Sequence, residues 1–190
     1  MISAWTIVIV VVVVVAWALL RSSDGDRRPA VLLPHYEAVE RPSMPDEIAA
    51  ATLLFSEAKF YAERPVPLVA RVDQVFHTPH GLVVPVETKT RRAHRWYPYD
   101  AIELSVQAVV LRYSRQVRLP GAIASYGYVR CVTEGSVPTY VKVPLLPESE
   151  VLAIYRRHQD LAAGRVAPRP AHHAGLCRRC PQASRCPHPR

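Results

Sequence analysis

Twenty residues without a charge open the chain, "MISAWTIVIVVVVVVAWALL". In a helix they span roughly 30 Å, the thickness of a bilayer core. Valine is a modest helix former in water, but in lipid every backbone group must pair within the segment. Trp5 and Trp17 stand near the two ends, where indoles favour the interface. A cleaved signal peptide normally carries a positive region ahead of its apolar run. No basic residue precedes Arg21, although "AWA" at 16–18 is a poor cleavage site. The sequence therefore predicts an uncleaved single-pass anchor over 1–20. Arg21, Arg27 and Arg28 follow it, and such charge holds the C-terminal part of the chain in the cytoplasm. The rest of the 190 residues must then fold as a tethered unit on one side of the membrane.

Residues 21–47 are polar and punctuated by proline, as in "RSSDGDRRPA" and "HYEAVERPSMPDE", and read as a tether. A core is expected over 48–165 and a tail rich in Cys, His, Pro and Arg over 166–190. In the core, Pro45, Asp46 and Glu47 are expected to open a helix through "EIAAATLLFSEAKFYAE", with Ile48, Leu53, Leu54 and Phe60 as its apolar positions. Strands are expected over 66–76 and 82–90, joined by a turn at "HTPHG". A helix follows from Tyr97, with Asp100 as N-cap and Glu103 completing a capping box. A hairpin around "TEGS" and an amphipathic helix in "ESEVLAIYRRHQDLAAGR" complete the core. The formal net charge of +8 favours an anionic partner, although a soluble basic surface explains it as simply.

Within "PVETKTR" (85–91), Glu87 and Lys89 are two apart and share one strand face. If the preceding turn is centred near Pro79, position 73 lies opposite 85, and Asp73 joins them on that face. Two converging carboxylates, with a neighbouring backbone carbonyl such as that of Thr88, suit a hard divalent cation. A lysine beside them can orient attacking water or offset charge developing on a phosphate. An ordinary surface Glu–Lys pair is the simpler reading of the spacing alone.

"RVDQVF" followed by "GLVVPVETKTR" resembles the metal-dependent PD-(D/E)XK nucleases, and in particular the RecB-type branch that includes iron–sulfur exonucleases associated with CRISPR adaptation. The resemblance covers about residues 48–186. It implies a restriction-endonuclease-like α/β core, a mixed central sheet flanked by helices. It also implies a Mg²⁺- or Mn²⁺-dependent deoxyribonuclease in which Asp73, Glu87 and Lys89 match the catalytic positions one for one. In the following helix the family places a Gln and, four residues on, a Tyr. Glu103 and Gln107 stand at those positions here, so the spacing is kept and the residue types differ. An alternative alignment puts Gln107 at the Gln and Leu111 at the Tyr. The first helix of such nucleases supplies a further polar group, for which Glu57 is the candidate, ahead of His35; a solvent-facing Glu57 is the plain alternative. Arg91, Arg92, His94 and Arg95 are candidates for sequence-blind DNA phosphate contacts, or else form a solvated basic loop. The resemblance also implies protein partners in a DNA-processing complex.

"CRRCPQASRC" spaces Cys177, Cys180 and Cys186 as Cys-x2-Cys-x5-Cys. Thiolates so close together read as ligands of a soft metal or cluster, and a cytoplasmic location argues against disulfides. In the exonuclease branch a C-terminal triad of this spacing holds a [4Fe–4S] cluster, with a fourth cysteine from upstream of the core. This chain has no cysteine before Cys131, which falls in a strand and reads first as a buried apolar residue, with cluster ligation as the alternative. His172, His173 or His188 would instead permit a Cys3His zinc site. The altered Glu103 and Gln107 positions leave one rival open, a non-catalytic metal-stapled nucleic-acid-binding or adaptor module. A lipid-surface protein is a third reading, which the anchor makes redundant.

Overall fold

The computed structural model describes residues 40–133, 135–169, 174–178, 180–181 and 183–186. The expected anchor, most of the tether, His35, His172, His173 and His188 lie outside the described residues. Among those described, no helix is long and apolar enough to cross a membrane.

Six strands form one mixed sheet: β1 (Thr52–Ala62), β2 (Leu68–His77), β3 (Leu82–Thr90), β4 (Ala122–Ile123), β5 (Tyr126–Val132) and β6 (Thr139–Pro144). The order is β1-β2-β3-β5-β6, with β4 also paired to β3. Strands β1, β2 and β3 form an antiparallel meander, β5 runs parallel to β3, and β6 returns antiparallel to β5. A parallel neighbour needs a crossover, and α2 (Pro98–Tyr113) lies in it. Among the described residues the other α-helices are α1 (Asp46–Ala49), α3 (Glu148–Ala162) and α4 (Ala174–Cys177). A mixed sheet flanked by helices is the fold that the sequence led us to expect.

The two faces of the sheet have different covers. On one, Val110 and Leu111 of α2 pack with Val72, Val75 and Val83, and Ala101 and Leu104 pack with Val129, Cys131 and Val143. On the other, Met44, Ile48 and Ala51 pack with Phe76, Val84, Val86 and Tyr128. Each aliphatic side chain so buried contributes about 1.5–3 kcal/mol. Strand β3 is covered on both faces, which is why "LVVPV" is continuously apolar instead of alternating.

Pro85 sits inside this central strand, where proline normally disrupts a ladder. The structure accommodates it by interrupting the neighbouring strand. Leu82 and Val83 pair with β4, and Val86 to Thr90 pair with β5, leaving Val84 and Pro85 opposite the break. The sequence did not reveal β4, because a two-residue strand has no periodicity to read. Just before it, a β-carbon on Gly121 would stand 2.1 Å from the Gly81 carbonyl oxygen, so only glycine allows the approach.

Several expectations are corrected. The helix expected through residue 63 ends at Ala49, and Thr52–Ala62 is a strand along β2. Its inward residues near the end, Phe60 and Ala62, alternate with exposed neighbours, and pairing with β2 outweighs helix propensity. The tether ends earlier than residue 47, since Met44 is already in the core and Glu40 bonds Arg130. The β2–β3 turn is centred one residue later than Pro79, because Gln74 faces Val86 and His77 faces Val83. Gly81, with φ +77°, and the Thr78 side chain set that loop. Helix α2 begins at Pro98, a residue suited to the first helical position. The Asp100 side chain therefore accepts the Tyr97 N–H at 2.7 Å from the third helical position, and does not act as N-cap. Helix α3 matches expectation; Val151 is its buried residue, and Glu148 accepts bonds from Arg112 and Tyr113.

The segment entering the domain is fastened by Glu47. Its carboxylate accepts the Tyr126 hydroxyl at 2.6 Å, the Tyr128 hydroxyl, and Lys142 Nζ at 3.2 Å. Burial works to raise the Glu47 pKa, but these three donors outweigh it and hold the carboxyl below its usual range. Tyr126, by burial and then by Glu47, is pushed up to about 12. A lowered folded-state acid pKa stabilises above the unfolded value, and that gain is lost as pH falls through the folded value. Glu47→Gln should therefore cost about 1–3 kcal/mol at pH 7. In urea titrations the difference should shrink below about pH 4.

Candidate functional site

The site forms where the regular sheet is distorted. The β1–β2 register skips Glu57 and Asp73, and Glu57 has φ +50°, uncommon for a residue with a β-carbon. On β2, Ala70 and Val72 join the α2-side core and so does Val75, so the inward pattern changes parity across Asp73 and Gln74. The recorded β2–β3 ladder stops at Gln74 and Val86. One step further, the Asp73 carboxylate accepts the Thr88 backbone N–H at 2.8 Å. The carboxylate is thereby fixed beside the Glu87–Lys89 segment of β3.

The turn shift explains why the expected cluster survives. Extending the observed register sets 73 against 87, two residues from the expected 85. A shift of two keeps every side chain on its face, whereas a shift of one would have separated Asp73 from Glu87.

Glu87 is only 6 % exposed. Its Oε1 accepts Lys89 Nζ at 2.8 Å, and its Oε2 accepts Gln107 Nε2 at 2.6 Å. Lys89 Nζ also bonds Glu103 Oε2 at 2.6 Å. Helix α2 therefore brings both Glu103 and Gln107 to the site, as their one-turn separation predicts. Gln107 is fully buried, and Leu111, the alternative Tyr position, is buried in the core cluster. Glu103 does not serve as capping acid; it holds Lys89.

The titration behaviour follows from this crowding. Burial raises the Glu87 pKa most. The charges of Asp73 and Glu103 add to that rise, and the Lys89 and Gln107 hydrogen bonds oppose it. For Lys89, burial works against the charge, but Glu103 and then Glu87 more than compensate and raise its pKa. A buried carboxylate pushed up by neighbouring acids is one whose charge a cation would relieve. The donor set of Asp73, Glu87 and the Thr88 carbonyl has the hard oxygen chemistry of Mg²⁺ and Mn²⁺ sites. Among the described residues, no three or more His, Cys, Asp or Glu are gathered as a metal site.

Other candidates are distributed differently. Glu57 lies on β1 instead of a helix and pairs with Arg71 at 2.8 Å, with both side chains exposed. Arg91 is not a free phosphate contact. Its Nη2 bonds both oxygens of the fully buried Asp100 at 2.9 Å. Arg92, His94 and Arg95 are exposed; His94 Nδ1 is 2.7 Å from Thr139 Oγ1, and Arg95 Nε donates to the Tyr97 hydroxyl at 2.9 Å. Sequence reasoning overlooked the aromatics of the same loop. Tyr97 and Tyr99 stack with centroids 5.3 Å apart, Arg95 lies over the Tyr97 ring, and Trp96 and Tyr99 are exposed. The signal was present in "RRAHRWYPY", where basic and aromatic residues interleave.

Cys131 is fully buried beside Ala101, Leu104, Val129 and Val143, and burial raises its thiol pKa. That is the apolar role its strand position offered. Cys177, Cys180 and Cys186 are at least partly accessible to solvent. Their backbone winds through successive turns, with Cys180 N–H bonding Cys177 O, Ala183 N–H bonding Cys180 O, and Cys186 N–H bonding Ala183 O. Three such thiols have the soft donor chemistry of iron–sulfur or zinc ligation.

No protein-family model and no curated protein matches the chain. Among solved structures, one described as "Crystal structure of SSO0001" is similar at 15 % identity and a TM-score of 0.47, covering 84 % of this chain and 68 % of that one. No argument about the site rests on that likeness.

Proposed function

We propose that this chain is a membrane-anchored, metal-dependent DNA nuclease of PD-(D/E)XK type, with an exonuclease-like action on phosphodiesters. The observation that supports it best is the convergence of Asp73, Glu87 and Lys89 at a break in the sheet, with Lys89 Nζ 2.8 Å from Glu87. Asp73, Glu87 and the Thr88 carbonyl would hold Mg²⁺ or Mn²⁺, which when bound lowers the pKa of water and polarises a phosphoryl oxygen. Gln107 fixes the orientation of Glu87. Lys89 supplies positive charge where charge develops on the phosphate, its protonated form secured by Glu103 and Glu87. Arg92, His94 and Arg95 would contact the DNA backbone, and the Trp96 and Tyr99 rings offer faces for unpaired bases. A chain on the cytoplasmic side of the membrane would meet DNA there, alone or with protein partners. The test is incubation of full-length protein in detergent with labelled single- and double-stranded DNA, with Mg²⁺, Mn²⁺ or EDTA. Cation-dependent release of nucleotides is expected. Folded protein that binds DNA but cuts neither form under any cation would instead support the adaptor reading.

Cys177, Cys180 and Cys186 would carry a [4Fe–4S] cluster that pins the tail, a structural role. Protein purified without oxygen should be brown, absorb broadly near about 400 nm and contain iron and sulfide. Colourless protein with one zinc per chain would replace the cluster by zinc and keep the three ligands.

A further inference from the structure

Lys89 is bonded to two carboxylates at once, Glu87 at 2.8 Å and Glu103 at 2.6 Å. The three come from different places: Glu87 and Lys89 from β3, and Glu103 from the first turns of α2. Glu87 is buried and has Asp73 as its acidic neighbour, while Glu103 is 44 % exposed on the rim. A cation reaching Glu87 must compete with the ammonium already there, because both seek the same oxygens. Glu103 offers that ammonium a second carboxylate without requiring it to leave the site.

We propose that Glu103 is a positioning residue that receives Lys89 when a divalent cation takes its place on Glu87. The inference rests on the proposed cation site at Asp73 and Glu87. The Glu103 carboxylate touches neither the cation nor the DNA. It keeps the Lys89 charge within reach of the reacting phosphate and lowers the cost of freeing Glu87. The arrangement makes Glu103 and Lys89 a coupled pair in cation binding, so their substitutions should not add.

The experiment is a double-mutant cycle on Mn²⁺ affinity, read by paramagnetic resonance or calorimetry on full-length protein without DNA. Glu103→Gln should weaken Mn²⁺ binding about fivefold, because Lys89 is left competing on Glu87 alone. Lys89→Met should tighten binding by removing the competitor. In the Lys89→Met background, Glu103→Gln should then change affinity by less than about twofold. Both side chains are partly exposed, and unaltered circular dichroism should accompany each variant, while Lys89→Met, which leaves Glu87 without its ammonium, should melt lower than wild type. Glu103→Asp should recover part of the lost affinity, which a mere space-filling role would not. An equal loss in both backgrounds would make Glu103 a remote charge and overturn the proposal. A larger loss without Lys89 would make Glu103 a direct ligand and also overturn it. Wild-type protein that binds no Mn²⁺ would remove the cation site itself, and this inference with it.

Discussion

Asp73→Ala and Glu87→Ala should each abolish Mg²⁺- and Mn²⁺-dependent cleavage of DNA while leaving the domain folded. The two carboxylates are joined to one segment of β3, Glu87 by residence and Asp73 through the Thr88 N–H. Losing either halves the anionic side-chain donors available to a cation. Stability should not suffer, because Glu87 is a buried acid whose pKa is raised by burial and by Asp73 and Glu103. Removing that charge relieves the unloaded protein. Melting temperatures at or above wild type in EDTA would bear this out. Lys89→Ala should behave differently: cation binding persists and turnover falls by the equivalent of a few kcal/mol, the order seen for a lost electrostatic stabiliser. A parallel fall in affinity and rate would instead assign Lys89 to ground-state binding.

Asp100→Ala should be the most damaging substitution for folding. Asp100 is 0 % exposed, and its carboxylate takes both bonds from Arg91 and the Tyr97 N–H that begins α2. Arg91 itself is held at the end of β3, where its N–H bonds Val132 O and its carbonyl accepts Thr133. The pair therefore links the end of β3 to β5 and to the start of α2, and so joins two of the elements that carry the site. Removing one partner leaves a mostly buried guanidinium uncompensated, which costs about 3–5 kcal/mol. Against the 5–15 kcal/mol typical of a domain, that is a large share. Urea unfolding should show the loss, with the midpoint moved strongly to lower denaturant. Arg91→Lys should also destabilise, since the more strongly hydrated ammonium is costlier to bury and loses the planar stacking of the guanidinium over the Tyr97 ring. A midpoint within experimental error of wild type would show that solvent reaches the pair.

The central strands were legible because their chemistry is local. "LVVPVETKT" gave β3 with its observed ends, and the period-two rule put Glu87 and Lys89 together. Glu103 and Gln107 were legible as one helical turn aimed at the site. The strand β1 was misread because "TLLFSEAKFYA" contains good helix formers, and only the partner strand β2 decides its state. Arg91 was misread for a related reason. A basic residue after a catalytic strand looks available to DNA, and its engagement by Asp100 depends on where α2 begins. The start at Pro98 moved Asp100 from cap to buried ion-pair partner. The distortion at Glu57 and Asp73 had no sequence signal, since neither glycine nor proline marks it.

The most direct measurement sets Mn²⁺ binding beside cleavage in the same preparations of wild type, Asp73→Asn and Glu87→Gln, each confirmed folded and with its tail metal content matched. The account predicts Mn²⁺ binding and release of labelled nucleotides by wild type, and neither by the two variants. Cleavage by Glu87→Gln at the wild-type rate, or folded wild type that binds Mn²⁺ and cuts no DNA, would contradict it.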